Sequence, residues 1–258
     1  MRAEVQNTDL ALVGLADIHY GHPSCNIKKV IAVIDRIKQK NTWCILGGDL
    51  IECATRDSIG SGVYEQTLTP QDQVDGMVDL LQPIKDKLLG MVKGNHEQRV
   101  WKQSGIDPCQ TIAQLLNIPY CGDEGYFILA VPRGRNKVPH NTAVTICYTH
   151  TTKASKTTGL ELNTVERDMA RWMHFDLIMK AHGHGIACQA VQYRDINVAP
   201  PSVQDHFQWI VLTGHYLERD NSYISRKGDG PKPTGTKLLH IKITKNHKSI
   251  AGEDFQIG

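Results

Sequence analysis

Trp43-Cys44-Ile45-Leu46-Gly47-Gly48-Asp49-Leu50-Ile51-Glu52 reads as an apolar strand that runs straight into a carboxylate. The run from Trp43 to Leu46 is continuous rather than alternating, the pattern of a strand covered on both faces in an α/β sheet. Gly47 and Gly48 then let the backbone turn without a Cβ penalty. In open α/β sheets ligands gather beyond the carboxyl ends of strands, so Asp49 stands where chemistry is expected.

Outward from this stretch the same arrangement recurs. Asp17-Ile18-His19 follows the apolar run Leu10 to Ala16, Gly94-Asn95-His96-Glu97 follows Leu88 to Val92, and His182-Gly183-His184 follows Leu177 to Lys180. His150 ends the strand-like segment Ala143 to Tyr148. Asn26 is a suitable N-cap for a helix over Ile27 to Lys40, with Ile27, Val30, Ile31, Ile34 and Ile37 as its apolar stripe. A right-handed β-α-β crossover through it brings Asp17 and Asp49 to one edge of a sheet. Thr69-Pro70 and Asp107-Pro108 each mark a helix start, predicting helices over Gln71 to Leu81 and through Leu116.

From Gly125 the texture changes to strands, Tyr126 to Val131 and Ala143 to Tyr148, with the basic connection Pro132 to Lys137 read as a solvated hairpin tip. Helical spacing returns over Glu161 to Met173, with Leu162, Val165, Met169 and Trp172 on one side, and Phe175 to Met179 follows as a strand. Ala187 to Tyr193, Trp209 to Thr213 and Leu238 to Ile243 alternate in the manner of a second sheet. The expected class is α/β: two sheets packed as a sandwich, flanked by helices, with residues 1–258 forming one domain.

Composition excludes extremes. The chain has 258 residues, 40% hydrophobic and 22% charged, ordinary for a globular protein and unlike a disordered or fibrous one. A net charge of +2 permits an anionic substrate without demanding nucleic acid. No apolar run approaches bilayer length, and the polar residues after Met1-Arg2-Ala3-Glu4 carry no signal core, so a cytoplasmic protein without membrane contact is expected. The 7 cysteines form no C-x-x-C pair and read as free thiols.

The ordered set D-x-H, G-D-x-x-E, G-N-H-E, H and H-x-H, from Asp17 to His184, resembles the calcineurin-like metallophosphoesterase superfamily. The resemblance implies two divalent transition-metal ions, manganese foremost, with iron, zinc, nickel or cobalt also suited to these nitrogen and oxygen ligands. Asp17, His19 and His184 would hold the first ion, Asn95, His150 and His182 the second, and Asp49 would bridge both. A hydroxide bridging the metals would attack the phosphorus. His96 would contact the phosphate and protonate the leaving oxygen. Glu52 and Glu97 are expected to orient the ligands, while His22, Arg99 and Asn95 are candidates for holding substrate. The last motif departs from the usual G-H-x-H in having Ala181 first. His174, His140, His206, His215, His240 and His247 read as surface or structural.

The expected substrate is a phosphodiester of a nucleotide or nucleic acid. Protein phosphatases of the superfamily place arginines where this chain has Cys53 and Lys93, which argues against that branch. The polar loops Ala54 to Leu68, Thr151 to Gly159 and Ser225 to Lys232 are candidate substrate contacts, though the latter two lack the interleaved aromatics of a single-strand groove. The alternatives are a phosphomonoesterase acting on a phosphoprotein or metabolite, and a non-catalytic scaffold.

Overall fold

A computed structural model describes residues 1–4, 9–58, 62–130, 143–151, 153–218, 232–243 and 248–255. Strand β1 is Arg2–Glu4 and β2 is Asp9–Leu15, whose alternate side chains enter two different cores. Ala11, Val13 and Leu15 face one core, and Leu10 and Leu12 face the other. The next strand, β3 (Thr42–Leu46), divides in the same way, with Cys44 and Leu46 on one side and Ile45 on the other. Burial on both faces is why these strands are apolar without interruption.

The first sheet has the order β11-β10-β2-β3-β4, with β4 at Leu88–Met91, β10 at Thr236–Ile243 and β11 at Lys248–Phe255. Its β2, β3 and β4 run parallel, so their carboxyl ends share one rim. The second sheet has the order β1-β5-β6-β7-β9-β8, built from β5 (Glu124–Ala130), β6 (Ala143–Thr149), β7 (Leu177–Lys180), β8 (Ile186–Val198) and β9 (Pro201–Thr213). Leu12, Ile45, Ile146, Tyr148, Met179 and Val211 meet between the sheets.

Helices cover the outer faces. Helix α1 (Ile27–Lys38), the short α2 (Gly62–Glu65), α3 (Pro70–Leu81), α4 (Asn95–Ser104) and α5 (Pro108–Leu116) follow the strands of the first sheet. Val30, Ile34, Met77, Ile112 and Leu116 from α1, α3 and α5 join its outer core. On the second sheet α6 (Thr158–Val165) and a following π-turn (Glu166–Ala170) pack on Cys147, Ile178 and Ile210. The α/β sandwich with helices outside is therefore the observed class. The caps are local: Asn26 accepts the Lys29 N–H, Thr69 and Asp72 cap each other reciprocally, and Asp107 accepts the N–H groups of Cys109 and Gln110.

Several elements differ from the sequence expectation. Ile31 is 43% exposed, while Val33 takes its place in the buried stripe of α1. The expected helix Glu161 to Met173 widens after Val165, where buried Val165 and Ala170 are spaced five apart as a π-turn requires; Trp172 leaves the apolar side and is 80% exposed. Leu238 to Ile243 belongs to the first sheet, where β10 pairs antiparallel with β2. The hairpin β8–β9 extends far beyond the expected strands, and its distal halves are exposed, Ile196, Val198 and Val203 included, so no buried face marks them as strand. Strands β1 and β11 and helix α4 had no sequence assignment. The basic connection Pro132 to Lys137 lies outside the described residues, as does Ser225 to Pro231.

Candidate metal centre

The rim of the site is built from backbone in the left-handed region, beyond β2 and β3 of the first sheet and β7 of the second. Asp17, His19, Asp49, His182 and His184 have φ of 51°, 53°, 47°, 77° and 58°. Asp and His tolerate this region better than branched residues, and its concentration at one rim is the strain expected of a functional site. The turns hold one another: the Asp17 N–H donates to Gly48 O at 3.0 Å, and the His19 N–H to Asp49 O at 3.0 Å. Gly94 is required for this closeness, since a Cβ there would lie 2.0 Å from the Asp49 nitrogen.

Three triads of ligand atoms, each mutually within 4.8 Å, result: Asp17, His19 and His184; Asp49, His150 and His182; and His19, Asp49 and His96. Nε2 of His184 approaches Asp17 Oδ1 at 3.4 Å, and Nε2 of His150 approaches Asp49 Oδ2 at 3.2 Å. His19 Nε2 stands 4.0 Å from both Asp17 Oδ1 and Asp49 Oδ2, so the two outer triads meet through His19 and Asp49. Asn95 joins the second triad with Oδ1 3.1 Å from His150 Nε2.

These residues fit a cation. Asp17 Oδ1 and His19 Nε2 are buried without a hydrogen-bond partner among the described residues. An orphaned carboxylate oxygen is costly unless something positive meets it. The donor set of imidazole nitrogen, carboxylate and amide oxygen suits a divalent transition metal. The protonation states are polarised. Burial would raise the Asp17 carboxyl, yet its contact with His184 holds it at about 2. Burial disfavours charge on His150, but Asp49 outweighs this and pushes it up to about 10. Burial and the neighbouring His150 pull His182 down to about 4.

Two further carboxylates fix the triad side chains. Glu52 Oε2 lies 3.1 Å from His19 Nδ1 and 3.2 Å from His96 Nδ1. Fully buried Glu97 accepts the N–H groups of Asp49 at 3.1 Å and Leu50 at 2.8 Å, which sets the turn carrying Asp49. Burial and the charge of Asp49 raise Glu97 to about 7. His150 Nδ1 donates to Gly47 O at 2.7 Å, which leaves Nε2 facing Asp49 and Asn95 and free to meet a cation. His96 stands at the start of α4, its backbone N–H donating to Asp49 Oδ1 at 2.8 Å. One turn along, Arg99 Nη2 donates to His96 Nε2 at 2.9 Å, and Arg99 Nη1 lies 3.7 Å from Glu52 Oε1.

His22 is not in any of the three triads; it is half-buried, and its Nδ1 accepts the Ser24 N–H. His215, read from sequence as surface or structural, is buried beside the centre, its ring stacked on His184 at 4.6 Å and 12°. Its position two residues beyond the end of β9 repeats the strand-end pattern of the triad residues and was the available signal. His174 and His206 stack on Tyr193, and His240 pairs with Glu253, away from the triads. His140 and His247 lie outside the described residues. In the loop from Ala54 to Leu68, Gln103 of α4 holds Thr55 and Asp57, and residues 59–61 lie outside the described part.

No protein-family model and no curated protein matches the chain. Among solved structures it is similar to zinc-complexed Vps29 from Entamoeba histolytica, at 11% identity over 96% of this chain and 100% of that one, with a TM-score of 0.39. A conserved uncharacterized protein of Streptococcus pneumoniae, described as a predicted phosphoesterase, is similar at 11% identity over 95% and 98% of the two chains, with a TM-score of 0.35. Among the described residues no helix is long and apolar enough to cross a membrane.

Proposed function

We propose that this chain is a metal-dependent phosphoesterase that hydrolyses phosphodiester bonds of a nucleotide or nucleic acid. The observation that carries the reading is Asp49, set between two ligand clusters with His96 beside it. Asp17, His19 and His184 would hold one divalent ion, Asn95, His150 and His182 a second, and Asp49 both. Such ions supply Lewis acidity, polarising phosphoryl oxygens and lowering the pKa of water.

His96 is the general acid of this proposal. Its Nδ1 is engaged by Glu52, 3.0 Å from the backbone oxygen and 3.2 Å from Oε2, so the exchangeable proton belongs on Nε2. Arg99 donates to that nitrogen at 2.9 Å. Drawing its guanidinium onto a phosphoryl oxygen would free Nε2 to take up a proton, which burial disfavours but Asp49 and Glu52 together favour, and that proton is the one passed to the leaving oxygen. Glu97 holds the Asp49 turn, and Glu52 keeps His19 and His96 in register. The diester preference is supported by the two positions where protein phosphatases carry arginine. Cys53 is buried and Lys93 is paired with Asp123 at 3.0 Å, so neither adds a cation to the rim. A diester carries one negative charge where a monoester carries roughly 1.5 to 2, and needs less neutralisation. The seven free thiols suit a reducing cytoplasm, and the shared core between the sheets supports reading residues 1–258 as one catalytic domain.

Hydrolysis of bis(p-nitrophenyl) phosphate and p-nitrophenyl phosphate by manganese-loaded protein tests the reading, with His96→Asn as control. The expected result is faster diester turnover, lowered by about 10² or more in the variant, with metal content unchanged. Faster monoester turnover would redirect the assignment to phosphoproteins or metabolites. Bound metal with neither substrate turned over would favour a scaffold.

A further inference from the structure

Beneath the His182-Gly183-His184 turn lies a buried ion pair. Glu161 and Lys180 are 1% and 2% exposed, and Lys180 Nζ donates to Glu161 Oε1. Lys180 is the last residue of β7, two residues before His182, and Glu161 comes from α6. The helix underlies the turn closely: a Cβ on Gly183 would fall 1.7 Å from Glu161 Oε1, and one on Gly185 would fall 3.3 Å from Thr158 Oγ1. Only a residue without a side chain lets the carboxylate rest against the backbone at Gly183. From another side Lys232 Nζ donates to the Gly183 carbonyl. Glu161 Oε2 has no hydrogen-bond partner among the described residues, so the pair is not an optimised source of stability.

We propose that the Glu161–Lys180 pair is a positioning element of the metal centre: the carboxylate supports Gly183 and thereby sets where His182 and His184 stand. This inference rests on the metal assignment above. The two histidines belong to different triads, so one displacement of the turn disturbs both. The His182 N–H, which donates to Asp17 Oδ2 at 3.0 Å, reports the position of the turn without any metal.

The test compares Glu161→Ala, Glu161→Gln and Glu161→Ala/Lys180→Met with wild type. Hydrogen exchange at the His182 amide is measured in metal-free protein, manganese affinity by titration, and thermal midpoint in parallel. Glu161→Ala is expected to speed His182 exchange and to weaken manganese binding at both positions by about 10- to 100-fold, the range for an outer-shell partner. Glu161→Gln keeps the shape beneath Gly183 and is expected to remain close to wild type in exchange. The double variant removes the stranded lysine charge, so it should recover thermal midpoint relative to Glu161→Ala while metal affinity stays low. A double variant with wild-type affinity and a protected His182 amide would overturn the proposal, because a purely structural pair moves only the midpoint. Wild-type protein that binds manganese but cleaves no phosphoester would sink the enzymatic reading and leave this test intact.

Discussion

The two outer triads are built from similar side chains but are satisfied differently. In the second, His150 is held at both nitrogens, by Gly47 O at 2.7 Å and by Asp49 and Asn95 at 3.2 and 3.1 Å. In the first, Asp17 Oδ1 faces His184 Nε2 across a longer 3.4 Å, and buried His19 Nε2 has no hydrogen-bond partner among the described residues. A proton on His150 stands in for positive charge beside Asp49 at the second triad, whereas His19 Nε2 in the first meets no such partner among the described residues. Affinity for a cation and competition from protons should therefore differ between two positions that look alike in sequence.

Asp49→Asn should give the largest effect, because Asp49 reaches His19, His150 and His96 and is the group common to both sides. Metal content measured on the purified variant should fall at both positions, and kcat/KM should drop by more than about 100-fold. Full occupancy in this variant would remove Asp49 from its bridging role and break the pairing of the triads.

Proton release sharpens the comparison next. The second triad holds its proton on His150 up to about pH 10, while His182 at about 4 is already neutral at working pH. Raising pH toward 10 therefore strips the competing proton and tightens metal binding, by up to about tenfold per unit for one proton displaced. Calorimetry near pH 8 in buffers of different ionisation enthalpy should show close to one proton leaving per second-triad metal, and none for His150→Gln. Equal, proton-free uptake at both positions would erase the distinction.

The smallest expected effect concerns the first triad. His215 stacks on His184 and its Nδ1 accepts the Leu217 N–H at 3.2 Å, leaving a buried Nε2 without a hydrogen-bond partner among the described residues. Burial and the neighbouring His184 pull His215 down to about 3, so it faces the metal side uncharged. His215→Phe should preserve the stacking and change first-metal affinity by less than about threefold, whereas His215→Ala should cost more, about 1 kcal/mol for the lost ring pair. A larger loss in Phe than in Ala, measured by metal titration, would mean that the nitrogen and not the ring face matters.

Much of the candidate site was legible because its residues follow apolar strands directly. Asp17, Asp49, Asn95, His150, His182 and His184 each stand within a few residues of the end of such a run, and periodicity together with glycine locates those ends. The Asn26, Thr69 and Asp107 caps were readable for the same reason: a side chain satisfies N–H groups two or three residues away. Glu97 illustrates the limit. Its neighbours in sequence mark it as part of a motif, but its grip on the Asp49 turn spans 48 residues.

The sequence by itself determined the class of fold, the order of the strand ends and the donor side chains placed at them, since burial pattern and capping are local physics. Tertiary structure alone decided that β10 joins β2, that Asp17 receives the His182 N–H from 165 residues away, and that His215 and Glu161 lie against the centre. Those outcomes depend on which faces pack together across the whole chain. No local spacing encodes that choice, because the same alternation of apolar side chains serves either sheet equally well.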